Sequence, residues 1–305
     1  LKWLASIFGI DCLTYAVMHN HLHIVLRSRS DVVAAWSDEE VARRWLRLFP
    51  QRRSKGGSPC EPTRSEIECL VRQRDVLVER RRRLSDISWW MRCTCENIAR
   101  RSNIEDGVTG HFWEGRYRAQ VLLGEAGLLA CAAYVDLNPI RAAMAPTPET
   151  SDFTGVRDRI DDFRSSEERK RMSTHDWERR HRRSSGWLSP LEIAESLDPI
   201  GADVSGSIQR ASDKGFLSVS LESYLELLDW TGREVRSEKR GVIPAHLQPI
   251  LARIGLDGET WCELVTHFGR RYKRAVGTAG ELAEEAARLG RAWLQAPGNP
   301  LRSAA

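Results

Sequence analysis

Three histidines at alternate positions, His19, His21 and His23, run into the apolar stretch Ile24-Val25-Leu26. In one strand from Thr14 to Leu26, successive side chains alternate faces, so all three rings project from the same side. Ring roots about 6 to 7 Å apart let two imidazoles converge on one ion. A buried imidazole without a partner is costly, so the cluster is either metallated or hydrogen-bonded into a core. For a His-x-His pair alone the structural alternative is the commoner one. Tyr134 and Asn138 shift the balance, because they stand one helical turn apart in a segment closed by Pro139. If that face packs on the histidine strand, two imidazoles, a carboxamide oxygen and a phenol come together. Such donors suit a divalent ion that keeps water, Mg²⁺ or Mn²⁺. A phenol with a pKa of about 10 is a weak nucleophile until assisted. A metal-polarised phosphate is an electrophile it can attack in line, giving a phosphotyrosine.

The elements that must position these groups follow from the pattern. Leu1 to Gly9 reads as the end of a helix leading into the histidine strand. Residues 31–83 read as a polar, basic excursion. It holds one amphipathic helix carrying Val41, Trp45, Leu46 and Phe49, a break at Gly56 to Pro59, and a second helix from Glu66 to Arg83. Leu84 to Ser102 is predicted to be a helix capped by Ser85, with Ile87, Trp90, Met91, Thr94 and Ile98 on one face. A turn at Gly107 to Gly110 precedes a predicted strand from His111 to Leu123, then a helix from Glu125 to Leu137. The order fits an α+β, ferredoxin-like split β-α-β sheet whose first strand lies upstream of Leu1. Residues 1–158 form the expected catalytic domain and 159–186 a charged linker. Residues 187–305 form an expected helical domain, with a capping box at Ser189 to Glu192, a glycine-capped helix from Pro244 to Gly255, and a last helix from Glu281 to Leu294.

Met18-His-Asn-His-Leu-His-Ile-Val-Leu26 resembles the Met-Pro-Asn-His-x-His strand of single-tyrosine HUH transposases, most of all the REP-associated tyrosine transposases. The likeness continues through Leu84 to Asn103, Gly110-His-Phe-Trp-Glu-Gly-Arg-Tyr-Arg-Ala119 and Tyr134-Val-Asp-Leu-Asn-Pro-Ile-Arg-Ala142, and covers roughly residues 1–145 without the excursion. Three motifs in that order are specific where any one is weak. The resemblance implies a ferredoxin-like fold and cutting and rejoining of single-stranded DNA through a 5′-phosphotyrosine. By that carry-over His21, His23 and Asn138 are the metal ligands and Tyr134 the nucleophile. His19 stands where the family usually has proline, either a spare ligand or a neighbour. Tyr117 competes as nucleophile but lacks an oxygen ligand four residues on.

Arg116, Arg118 and Arg141 are candidate phosphate contacts, with surface solubility as their ordinary role. Trp113 is either a base-stacking or a buried ring, and Trp89 and Trp90 read as core. The net charge of +4 says little alone, but basic residues cluster at Arg80 to Arg83, between Arg169 and Arg183, and at Arg270 to Arg274. Such clusters are the footprint of a nucleic-acid binder, or solvated helix faces. The last of them makes the helical domain an expected DNA-binding or architectural module. Seven scattered cysteines without a Cys-x-x-Cys pair read as reduced cytoplasmic thiols, and no apolar run is long enough to span a membrane. The expected protein is a DNA nickase and strand transferase acting on single-stranded or hairpin ends, as a monomer or homodimer. The competing expectations are an inactive or domesticated DNA-binding protein of the same fold, and a metallohydrolase of small phosphoesters.

Overall fold

A computed structural model describes residues 1–171, 186–193, 204–236, 246–272 and 274–294. The stretch from Met172 to Arg183, Lys273 and the side chain of Arg271 lie outside the described residues, and with them much of the 169–183 cluster and half of the 270–274 cluster. The fold is mixed α+β and mainly helical. No helix among the described residues is long and apolar enough to cross a membrane.

A short helix α1 (Lys2–Ala5) leads into strand β1 (Ile10–Val17), which pairs antiparallel with β2 (Leu22–Ser28). The single strand expected from Thr14 to Leu26 is therefore a hairpin. Asn20 is a turn former inside an otherwise continuous β pattern, and His19-Asn20 form the turn, closed where the Met18 amide donates to the His21 carbonyl at 2.9 Å. His19 is exposed in that turn rather than aligned with His23.

The register steps between Cys12 and Thr14, leaving Leu13 as an extra residue in β1. That bulge shifts the face pattern, so Cys12 and Tyr15 reach one core while Leu13 and Ala16 reach the other. The hairpin is consequently covered on both sides, which accounts for the unbroken burial of Ile10 to Ala16.

On the first side lie α2 (Ser30–Ala35), α3 (Asp38–Leu48), α4 (Arg64–Arg72), α5 (Arg74–Arg83) and α6 (Ile87–Glu105). Val32, Val41, Trp45 and Leu77 share a core with Phe8, Ile10 and the fully buried Trp90, so the expected excursion packs on the hairpin's own hydrophobic face. The long helix expected from Glu66 breaks at Gln73, and the N-cap of α6 is Asp86, whose carboxylate accepts from the Ser88 amide, rather than Ser85.

The strand expected from His111 to Leu123 is reduced to β3 (Val121–Leu122). Residues 107–120 run as an exposed loop pinned to α6 by two side chains. The Trp113 indole donates to the Cys95 carbonyl at 2.9 Å, and the Tyr117 hydroxyl to Ser88 Oγ at 3.1 Å. Then follow α7 (Gly124–Asp136), α8 (Asn138–Arg141) and α9 (Gly155–Arg171). The expected charged linker thus starts inside a packed helix: Val156 and Ile160 are core, and buried Arg159 donates to the Leu13 and Ser189 carbonyls at 2.7 and 2.9 Å. Gly155 admits this helix because a Cβ there would collide with Thr14 Oγ1.

Ser189 to Ile193 is non-helical, with an isolated bridge from Glu192 to Leu217, so the expected capping box opens no helix within these residues. The remaining elements are α10 (Leu221–Arg236), α11 (Gln248–Arg253), α12 (Gly258–Arg271), β4 (Ala275–Val276) and α13 (Ala279–Arg288). The glycine cap after α11 is present at Gly255, φ +70°. Leu227, Leu228, Trp261, Val265 and Phe268 share one core with Leu129 and Ala133 of α7, with Leu137 just past its end, and with Leu13 and Val25 of the hairpin. Strand β4 pairs in parallel with β3, joining residue 121 to 275. The second side of the hairpin is therefore built largely by the C-terminal segment.

Two buried polar clusters tie these layers together. The Asp136 carboxylate accepts from the Thr14 hydroxyl and from Tyr224 at 2.6 Å, linking α7 to β1 and α10. Asp11, wholly buried, receives Arg27 at 2.7 Å, Arg29 at 3.4 Å and the Ser212 hydroxyl at 2.8 Å, while Arg27 also donates to the Lys214 and Gly215 carbonyls.

Candidate active site

Small residues set the position of Tyr134. Ala130, Ala132 and Ala133 let α7 pack closely while Tyr134, half-buried, occupies its last turn. The Leu137 amide still donates to the Ala133 carbonyl, and Arg141 to Leu137, so the chain stays helical across the Asp136–Asn138 junction. Tyr134, Asn138 and Arg141 consequently fall on one face at helical spacing.

That face meets the histidines. The His21 and His23 rings have centroids 4.8 Å apart at 86°, and His23 meets the Tyr134 ring edge to face at 5.5 Å. The Arg141 guanidinium lies 4.7 Å from the Tyr134 ring centroid. Arg141 Nη2 donates to the Thr266 carbonyl, whereas Nη1 is buried without a partner. Helix α12 forms the fourth wall: Phe268 packs on Tyr134 at 5.5 Å, and a Cβ built at Gly269 would lie 2.7 Å from the phenol oxygen. Gly269 is exposed, so the hydroxyl lies at a wall open to solvent.

Electrostatics hold His23 neutral. Burial, then the neighbouring His21 and Arg141, bring its pKa down to about 4. The His21 Nδ1 donates to Asn20 Oδ1 at 2.7 Å, which leaves Nε2 as the lone-pair nitrogen. Both rings are thus prepared as ligands. Asn138 is buried and its carboxamide nitrogen has no partner. No group of three or more His, Cys, Asp or Glu among the described residues is arranged to hold a metal. A divalent ion would fit here only on two imidazoles completed by oxygen donors, the neutral carboxamide of Asn138 and water or an anionic phosphate.

The structure brings together four of the residues expected from sequence, His21, His23, Tyr134 and Arg141, and buries Asn138 one turn beyond the phenol. Arg116 and Arg118 are exposed in the 107–120 loop, without a hydrogen bond or ion pair among the described residues. The Tyr117 hydroxyl is engaged by α6. Sequence reasoning missed Thr266, Phe268 and Gly269. The available signal was Gly269 itself, a helix-destabilising residue inside an amphipathic helix, which ordinarily marks a close approach. No protein-family model matches the chain, and no curated protein or solved structure matches it.

Two stability slopes with opposite sign cross at this site. Burial raises the Asp136 carboxyl to about 6, against an unfolded value of about 3.8, so its stabilising protonation is complete below the lower value and lost as pH rises through 6. For His23 the unfolded chain takes up a proton near pH 6.5 that the native state refuses until about 4, so its contribution is present above 6.5 and lost on acidification. In the same window the two cancel. Asp136→Asn is expected to unmask a loss of stability between pH 6.5 and 4, and His23→Gln a gain. Denaturant midpoints across that range check both.

A third expectation concerns Gly269. Gly269→Ala forces the phenol aside by a few tenths of an ångström; were Tyr134 to act as a nucleophile, that displacement would cut its reaction roughly tenfold to a hundredfold, with little change in melting temperature. Adduct formation measured beside a thermal melt tests it.

Proposed function

We propose that this protein is a metal-dependent DNA strand transferase and nickase of the single-tyrosine HUH kind, acting on single-stranded or hairpin DNA. The observation that supports it most is the Tyr134 ring held edge-on to His23 while Arg141 keeps a buried nitrogen free beside it. An imidazole pair, a phenol and a guanidinium with one nitrogen still unpaired are the parts phosphoryl transfer to tyrosine needs.

In this reading His21, His23 and Asn138 would hold a divalent ion, Mg²⁺ or Mn²⁺, which would supply polarisation of the scissile phosphate. The Tyr134 oxygen attacks phosphorus in line and loses its proton to solvent. The P–O3′ bond breaks, the 3′ oxygen takes up a proton, and the 5′ end stays on the protein as a phosphotyrosine. A second 3′-hydroxyl reverses the step and joins a new strand. Arg141 Nη1 supplies the acceptor-less donor that a phosphate oxygen satisfies. Arg116 and Arg118, on the exposed loop, contact the strand backbone outside the centre. The hairpin then represents the middle of a ferredoxin-like split sheet, and the protein works in the cytoplasm as a monomer or homodimer.

The test incubates the full chain with a 3′-labelled hairpin oligonucleotide and Mn²⁺, followed by a denaturing gel. A labelled covalent band that EDTA abolishes is expected. Tight binding of the oligonucleotide with no band favours a DNA-binding protein without catalysis. Turnover of small phosphoesters without a band favours a metallohydrolase.

A further inference from the structure

The basic run in α5 is only partly committed to the fold. Arg81 donates to the Val33 and Trp36 carbonyls and to Asp38, at 2.6, 2.7 and 2.8 Å. Arg82 and Arg83 pair with Glu79 at 2.9 and 2.7 Å. Arg80 has no carboxylate partner among the described residues; its guanidinium lies 4.4 Å from the Trp45 ring centroid and its Nε is buried without an acceptor.

Arg80 lines a groove of about 480 Å³ between α3, α4 and α5, whose other walls include Trp45, Phe49, Gln51, Ser65 and Gln73. Phe49 is 41% exposed there, backed by Trp45 at 4.7 Å and Trp89 at 6.3 Å. Arg83 and Arg92 sit over Trp89 at 4.3 and 5.0 Å, adding positive charge beside the groove. The groove's one carboxylate, Glu66, is already satisfied. It caps Thr63 and receives Arg52 at 3.0 Å, which hold its carboxyl down at about 2.

An exposed aromatic face, amides that both donate and accept, and a guanidinium lacking an acceptor together recognise a nucleotide. A base would lie against Phe49, its edge would meet Gln51 or Gln73, and a phosphate oxygen would satisfy Arg80. An apolar peptide would leave Arg80 Nε unpaired, and a bare anion would leave the aromatic wall unused. Phe49 and Gln51 are both exposed, so the groove lets neighbouring nucleotides continue past its mouth. We propose that this groove binds a nucleotide unit of a single-stranded DNA, at a site separate from Tyr134 and independent of any reaction there.

The experiment uses the full chain in EDTA, so that metal-dependent cleavage plays no part, with a fluorescein-labelled oligothymidylate and dTMP as probes. Cys69, exposed on the groove wall, reports occupancy through its rate of alkylation by N-ethylmaleimide, read by peptide mass spectrometry. The oligothymidylate is expected to slow Cys69 alkylation severalfold at concentrations where dTMP does not. Phe49→Ala and Arg80→Gln each weaken its binding about tenfold, and Arg82→Ala, outside the groove, less than about twofold. Gln73→Ala provides a further reading should Arg80→Gln fail to fold. Unchanged Cys69 reactivity with the oligonucleotide bound, equal protection by dTMP, or an Arg82→Ala loss matching that of Arg80→Gln would each overturn the proposal.

Discussion

Tyr134→Phe is expected to abolish the covalent protein–DNA band, lowering adduct formation at least about a thousandfold. The phenylalanine ring keeps every packing contact: the edge of His23 at 5.5 Å, the tilted face of Phe268 at 5.5 Å and the Arg141 guanidinium at 4.7 Å. Only the oxygen is lost, and it faces Gly269, so stability changes little. The measurement is the labelled-oligonucleotide gel, run beside a thermal melt and a binding isotherm. An unaltered band in the variant would move the nucleophile away from Tyr134. Tyr117, whose hydroxyl rests on Ser88, would then be the next residue to replace.

Asp11→Ala should cost about 3–5 kcal/mol of folding stability. The carboxylate is wholly buried and Arg29 nearly so, with side-chain exposures of 0% and 4%. Removing it takes from nearly buried Arg29 one of its two carboxylate partners in this cluster, and from Arg27 the anion that aligns it toward the Lys214 and Gly215 carbonyls. Asp38→Ala is the contrasting case, since Asp38 is 40% exposed where it meets Arg81 and is worth at most about 1 kcal/mol. Urea unfolding of the two variants separates them. Equal losses would show that the Asp11 cluster carries no special weight.

The histidine pair, the phenol and carboxamide one helical turn apart, and the arginine as a candidate phosphate contact were legible in the sequence, whereas the helix expected to close at Pro139 continues through it. All depend on local spacing, and local spacing survives folding. The turn at His19-Asn20 was obscured because β-favouring residues lie on both sides of it and no glycine marks it. Residues 111–123 carry aromatic and branched side chains in a strand-like run. The ring anchors went sideways to Cys95 and Ser88 instead of to a neighbouring strand, a tertiary outcome that composition does not encode. The largest gap concerns α12. Its stripe of Trp261, Leu264, Val265 and Phe268 was readable as an apolar face, but nothing local said that the face would dock on α7. Ser189 to Glu192 shows the same limit in miniature, since a helix-start pattern was taken into a bridge with Leu217.

The wall supplied by Phe268 and Gly269 has a consequence for biosynthesis. A ribosome adding roughly 5–20 residues per second makes the hairpin and α7 about 6 to 24 seconds before it reaches α12. During that interval the nascent chain owns both imidazoles and the tyrosine but lacks the surface that orients the ring. Order of synthesis alone therefore withholds the assembled centre from a half-made polypeptide.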